Sequence, residues 1–363
     1  MRLLNNFNEF VSNTFAGTSN NYMLKWENPQ AVTGRIYYKI CEYGEFNYKF
    51  LFSNTVDSTF DDGKVAYANL KGGKWKILSA NVGDGGKNPK KFNEAKLIPL
   101  NFCEESQREV LEGEMFWSDE IRLNIPKGHY LVFEWTVEGN DIPYTPDKIT
   151  PSFIKDGDKF KKSEEFPQPH LVACNRNAEK RIAFLGDSIT QGLGTRYGKY
   201  EFWVSEIGKR LKNDVSVWNL GLGYGRASDA ASDGAWLKKA KEMDLVSVCF
   251  GVNDILQGRN EKEICDDLLS IAKNLKDCGC EVGLFTVPAF DWSGENEKTW
   301  RAVNKYINEE LSTMVDYVFD TVKIWGKKPP NDNKSKYGPH PNGKGGLALA
   351  KAFVDEIDIK RFK

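Results

Sequence analysis

The 363-residue sequence has no apolar run approaching the 18 or more residues of a membrane span, which removes transmembrane readings. It has no charge of one sign to spare: 50 Lys and Arg against 51 Asp and Glu leave a formal net charge of -1. A polyanion or an anionic bilayer would feel no global attraction, so neither nucleic acid nor membrane is an expected partner. No fixed-period repeat and no low-complexity tract occurs. There is no C-x-x-C pair and no His at metal-ligand spacing, and no metal or organic cofactor is expected. The seven cysteines, Cys41, Cys103, Cys174, Cys249, Cys265, Cys278 and Cys280, are an odd number and read as reduced, mostly buried thiols. The first residues, MRLLNNFNEFVSNTF, lack a continuous apolar segment and a small-residue cleavage site, and the expected location is cytoplasmic. No feature fixes an oligomeric state.

What is present is a globular composition, 40% hydrophobic and 28% charged, with length for about two domains. From 32 to 137 the apolar segments are short and rich in β-branched and aromatic residues: VTGRIYYKI (32–40), FNYKFLFS (46–53), GKWKILSANV (73–82), EIRLNIP (120–126) and HYLVFEWTV (129–137). Glycine- and aspartate-rich turns separate them. This pattern predicts an antiparallel β-sandwich, jelly-roll-like, over residues 1–142. Residues 143–177, proline-rich and carrying the charged stretch KDGDKFKKSEE, read as a surface connector. From 178 to 363 apolar β runs alternate with helix-period segments: RIAFLGD, a helix over 198–211, DVSVWNLG, a helix over 227–241, DLVSVCFG, and a helix over 261–277. EVGLFTVPA, a helix over 296–313, a short YVFD strand and a helix after Gly343 follow. The succession predicts a parallel sheet with helices on both faces, where ligands bind at the carboxyl ends of the strands.

Four stretches fall on those ends. The first strand runs into Gly186-Asp187-Ser188-Ile189-Thr190, placing a hydroxyl where strand turns to helix and where backbone N–H groups can face a developing oxyanion. The second is followed by Asn219-Leu-Gly221-Leu-Gly223-Tyr-Gly225-Arg226, whose glycines allow close approach of backbone to ligand. A dinucleotide fingerprint fails there, because G-x-G-x-x-G from Gly221 meets Arg226. The third leads into Gly251-Val252-Asn253-Asp254, which adds a side-chain amide. A hydroxyl nucleophile needs a base at neutral pH, and only three histidines exist. His129 lies in a sandwich strand and His170 in the connector, leaving His340, in Gly-Pro-His340-Pro before the last helix.

These four blocks, in this order over about residues 180–350, resemble the SGNH hydrolases, also called the GDSL esterases and lipases. The resemblance implies a three-layer α/β/α domain, Ser188 as nucleophile, and His340 as general base and then general acid. It also implies an oxyanion hole from the Ser188 N–H, a glycine N–H (Gly223 preferred, Gly225 in reserve) and the Asn253 side chain. Where the family carries an Asp three residues before the His, this sequence has Tyr337. Either a backbone carbonyl orients His340, giving a dyad, or Asp332 or Asp320 supplies the carboxylate. A sandwich preceding such a domain is also similar to one group of carbohydrate acetylesterases. Asp187, Tyr224 and Trp292 are candidate substrate contacts, and Asp187 also reads as fixing the turn. Trp117 and Trp300 are further aromatic candidates for stacking on sugars. The expectation is a serine esterase removing a short acyl group, acetyl first, from a carbohydrate. The alternatives are an inactive carbohydrate-binding protein, or a lipase or thioesterase using the same site.

Overall fold

The structure, a computed structural model, describes residues 6–26, 30–61, 65–146, 149–211, 214–327 and 340–359. The N-terminal half is an antiparallel sandwich. One sheet of five strands runs Val11–Ser12, Leu171–Cys174, Gly44–Ser53, Met115–Trp117, with Ile121–Ile125 also on Gly44–Ser53. The other, of seven, runs Lys159–Lys162, Ser152–Asp156, Val32–Lys39, Tyr130–Gly139, Trp75–Asp84, Lys96–Pro99, with Arg108–Val110 also on Trp75–Asp84. Inward-facing rings from the two sheets make the core: Phe50 meets Phe133 at 5.2 Å between centroids, and Phe52 meets Trp135 at 5.0 Å. Tyr37 and Val132 on the opposite face are buried as well, under Phe153, Phe92 and Phe160. The stretches Ile36-Tyr37-Tyr38 and Leu131-Val132-Phe133 are therefore continuous buried apolar runs rather than alternating ones.

The segment 143–177 is not the surface connector expected from its prolines and charges. Ser152–Asp156 pairs with Val32–Lys39, Lys159–Lys162 closes that sheet's edge, and Leu171–Cys174 pairs with Gly44–Ser53 inside the other sheet. The Lys-rich run is what an exposed edge strand needs to resist pairing with another chain. The same composition also suits a solvated loop, so composition alone does not separate the two.

The C-terminal half holds five parallel strands in the order Val215–Gly221, Lys180–Gly186, Leu245–Cys249, Glu281–Phe285, Tyr317–Phe319. Right-handed crossovers of this order put helices Trp203–Leu211 and Gly343–Glu356, which pack together, on one face. Helices Glu261–Asp277 and Gly294–Glu309 cover the other. Glu261–Asp277 begins with a capping box, Asn260 accepting from the Glu263 N–H and Glu263 from the Asn260 N–H, and ends where its period ends. The expected helix over 198–211 starts only at Trp203, since Tyr200 is left-handed at φ 57°. That over 227–241 is broken into Ala227–Ala231 and Ala235–Ala240. No helix among the described residues is long and apolar enough to cross a membrane. Of the seven cysteines, none is disulfide-bonded, and Cys103 and Cys278 alone are exposed.

The two halves are joined by a buried segment, Phe10–Asn21, that touches both. Arg176 grips its Ser12 carbonyl with two N–H groups (3.0 and 2.9 Å) and also reaches the Val215 carbonyl. Nearby, Lys239 of the C-terminal half places its ammonium 2.9 Å from Asp57, 3.1 Å from the Ser19 hydroxyl and 3.1 Å from His170 Nδ1. The Lys239 and Asp57 side chains are fully buried.

Candidate active site

The strand Lys180–Gly186 ends where no side chain fits: a Cβ on Gly186 would lie 2.2 Å from Thr190 Oγ1 and 2.5 Å from the Cys249 carbonyl oxygen. Asp187 then turns the chain, its carboxylate accepting the Ile189 N–H at 2.9 Å as the cap of a helical turn, Ser188–Gln191. Burial, with Asp254 nearby, pushes the Asp187 carboxyl up to about 7, against the pull of that N–H. Asp187 is thus a buried cap and not the substrate contact it was also expected to be.

Ser188, at the first position of the turn, has its hydroxyl 2.9 Å from His340 Nε2. Several contacts fix the imidazole. Phe290 meets its ring edge-on, 5.4 Å between centroids. Gly194 packs against its stem; left-handed at φ 94°, it would set a Cβ 2.9 Å from His340 Cβ. Asn342, two residues on, caps Gly343–Glu356 by accepting from the Lys344 and Gly345 N–H groups. Of the carboxylates considered as a third member, Asp320 caps Thr321–Trp325, its Oδ1 accepting from Val322 N–H and the Thr286 hydroxyl at 3.0 Å each. Asp332 and Tyr337 lie outside the described residues.

The glycine loop follows the neighbouring strand, and Gly186 stands level with both Gly221 and Cys249 in the sheet. A Cβ on Gly221 would lie 2.1 Å from the Gln191 nitrogen, so only glycine lets the loop approach the Ser188 turn. Neither candidate glycine presents an idle N–H: that of Gly223 donates to Gln191 Oε1 at 2.7 Å, and that of Gly225 to the Leu222 carbonyl at 3.0 Å. The preference for Gly223 over Gly225 gains nothing from this geometry. Asn253 Nδ2 donates to the Gly225 carbonyl at 2.9 Å. Tyr224 between the two glycines is left-handed, φ 62°, and 47% exposed.

Trp292 stands one ring removed from His340, its centroid 5.7 Å from that of Phe290. Its indole donates to the Pro288 carbonyl. Trp117, against Phe7, and Trp300, bonded to the Val287 carbonyl, are buried core residues unavailable to a sugar. The other histidines are structural: His129 pairs with Asp84 at 2.8 Å, and His170 is fully buried, its pKa held well below the ordinary value by burial and by Lys239.

Sequence reasoning missed the supports. Gln191 follows the Ser188 block directly yet gave no sign of bonding the glycine loop. Asp254, fully buried with its carboxyl pushed up by burial, accepts from the Ala227 N–H and from Arg259, tying the Asn253 turn to the chain beyond the loop. Arg226 forks onto Asp229 at 2.7 and 2.6 Å, and Asp229 in turn accepts from Ser58 of the sandwich half. Among the described residues no group of three or more His, Cys, Asp or Glu could hold a metal ion.

Residues 184–346 match the GDSL-like Lipase/Acylhydrolase family. Among solved structures, the chain is similar to a lipolytic protein of the G-D-S-L family from Veillonella parvula, with 20% identity over 49% of this chain and 98% of that one and a TM-score of 0.43. It is also similar to a variant of an acetyl-xylooligosaccharide esterase from a Geobacillus, with 19% identity over 52% of this chain and 98% of that one and a TM-score of 0.40. No curated protein matches the chain.

Proposed function

We propose, from the premise that residues 184–346 are a GDSL-like lipase/acylhydrolase domain, that this hydrolase is a serine esterase removing a short acyl group, acetyl first, from a hydroxylated carbohydrate. The observation that carries the reading is the 2.9 Å contact of Ser188 Oγ with His340 Nε2, a nucleophile already on its base. Ser188 Oγ attacks the ester carbonyl carbon while its proton passes to His340 Nε2. The resulting oxyanion is met by the Ser188 N–H and by Asn253, whose amide has a second N–H besides the one on Gly225. Collapse expels the alcohol, which takes the proton from His340, and leaves an acyl-serine. Water, deprotonated by His340, attacks that ester, and the acid leaves as Ser188 recovers its proton. Every step is a proton or acyl transfer between groups of this chain, the ester and water.

Two features support a short acyl group and a sugar. The stretch from Ile189 to Thr195 beside the nucleophile is too short to form an apolar lid, and Phe290 and Trp292 offer rings beside the base for a sugar face. The test is hydrolysis of p-nitrophenyl acetate, butyrate and octanoate by wild type, Ser188→Ala and His340→Ala between pH 5 and 9. Acetate should be cleaved fastest, with the rate falling in acid as the imidazole takes up a proton. Turnover surviving in Ser188→Ala would overturn the reading. Octanoate cleaved faster than acetate would move it to a lipase.

A further inference from the structure

Three peptide groups of the glycine loop are gripped by three side chains remote from one another in sequence. Gln191, from the nucleophile turn, accepts the Gly223 N–H at 2.7 Å. Asn21, from the segment joining the two halves, donates to the Gly223 carbonyl at 3.3 Å across 202 residues of sequence. Asn253 takes the Gly225 carbonyl at 2.9 Å. The segment acts on Gln191 as well. Thr18 Oγ1 accepts from Gln191 Nε2 at 3.4 Å while its own hydroxyl proton goes to the Ser19 carbonyl, which leaves Gln191 Oε1 aimed at Gly223. One residue earlier, Gly17 lies so close that a Cβ there would be 2.5 Å from the Asn219 carbonyl oxygen, at the start of the loop.

The segment is itself held from the sandwich side. Asn20 donates its backbone N–H to Asp57 at 3.0 Å and its amide to the Ser53 and Thr55 carbonyls, and the Asn21 N–H donates to the Tyr144 carbonyl at 3.0 Å. Thr18, Asn21, Gln191 and Gly223 are all buried, so water offers no ready substitute for a lost contact. Displacing a catalytic constellation by about 1 Å costs about a hundredfold in rate.

Resting on the esterase reading above, we infer that Thr18 and Asn21 are positioning residues for catalysis. The N-terminal half braces the loop beside the nucleophile through them, and the sandwich is a working part of the active site rather than a detachable module. Asn21 fixes the Gly223 carbonyl and Thr18 fixes the Gln191 amide. Together they set the height of Gly223–Gly225, and through Gly225 that of Asn253, relative to Ser188.

The test uses the full chain as wild type, Asn21→Ala, Thr18→Val and Thr18→Ser. It follows amide hydrogen exchange over residues 219–226 and over the distal helix Glu261–Asp277, together with kcat and KM for p-nitrophenyl acetate. In Asn21→Ala and Thr18→Val the loop should exchange about tenfold faster and kcat should fall about tenfold, with KM within about twofold and the distal helix unchanged. Thr18→Ser, which keeps the hydroxyl, should behave as wild type. Unchanged loop exchange would overturn the inference, as would faster exchange at unchanged kcat. Equal acceleration in the distal helix would also overturn it, because the segment would then stabilise the whole fold and not the loop. Failure of the esterase reading looks different: the wild type then cleaves no ester, while loop exchange still decides whether Asn21 and Thr18 hold the loop.

Discussion

In the esterase reading proposed above, the parallel-sheet half supplies the reacting groups from loops at its strand ends, whereas the sandwich half supplies one buried segment that bonds those loops. In the first region short blocks of sequence carry the chemistry, because a strand end fixes where the next few side chains go. Ser188, Asn253 and the glycines are placed by Gly186, Gly221 and Cys249 standing side by side in the sheet. In the second, Asn13, Thr14, Thr18, Asn20 and Asn21 read as coil. Their positions come from partners tens or hundreds of residues away, such as Tyr48, Lys39 and Gly223. A group that reacts can be local; a group that positions need not be.

The division is broken most severely at the reacting pair. Ser188→Ala or His340→Ala should lower kcat by at least about a thousandfold with the fold intact, measured by ester hydrolysis and circular dichroism. Comparable loss in any sandwich substitution that preserves folding would contradict the separation of roles. Asn253→Ala should cost about a hundredfold in kcat with little change in KM, and should slow phosphonylation of Ser188 to a similar extent. The joint between the halves is tested by stability. Lys239→Met alone strands Asp57 in a dry interior and should cost about 3–5 kcal/mol in urea unfolding, whereas Lys239→Met with Asp57→Asn, which removes the charge and keeps an acceptor for the Asn20 N–H, should recover part of the loss. If the single variant unfolds in two separate transitions, the joint also sets cooperativity.

The smallest effect concerns pH, and the two regions should act in opposite directions. His170 has a folded pKa well below its ordinary 6.5, so the unfolded chain takes up a proton first and stability falls as pH drops below about 6.5. Asp187 has a folded pKa raised to about 7 from 3.8. The folded chain therefore binds the extra proton, and stability from this group is present at low pH and lost as pH rises toward 7. Between pH 6.5 and 5 the two slopes oppose each other. Asp187→Asn, which keeps the cap acceptor, should expose the acid sensitivity of His170, and denaturant midpoints across that range would show it.

Much of the architecture was legible in the sequence, for reasons that differ by element. Glu261–Asp277 was readable because its apolar period and its Asn260 cap are local. The five parallel strands were readable because burial on both faces makes them continuous apolar runs. The strands within 143–177 were not: Lys159–Lys162 is polar because it is an edge, and Leu171–Cys174 is four residues between prolines and a charged turn. At the site, the Ser188 and His340 contact was legible from block order. The occupation of the Gly223 N–H by Gln191 was not, since nothing in a side chain's identity states which backbone group it will face.

The cysteines carry a practical consequence. Burial pushes the Cys41, Cys174 and Cys265 thiols up to about 12, and that of Cys249 well above its ordinary value, so these sulfurs are poor nucleophiles toward maleimides at neutral pH. Cys103 and Cys278 are exposed and lie in opposite halves of the chain. The native protein therefore comes with one dye-attachment point on each half, and energy transfer between them would report the spacing of the two halves without any engineered residue.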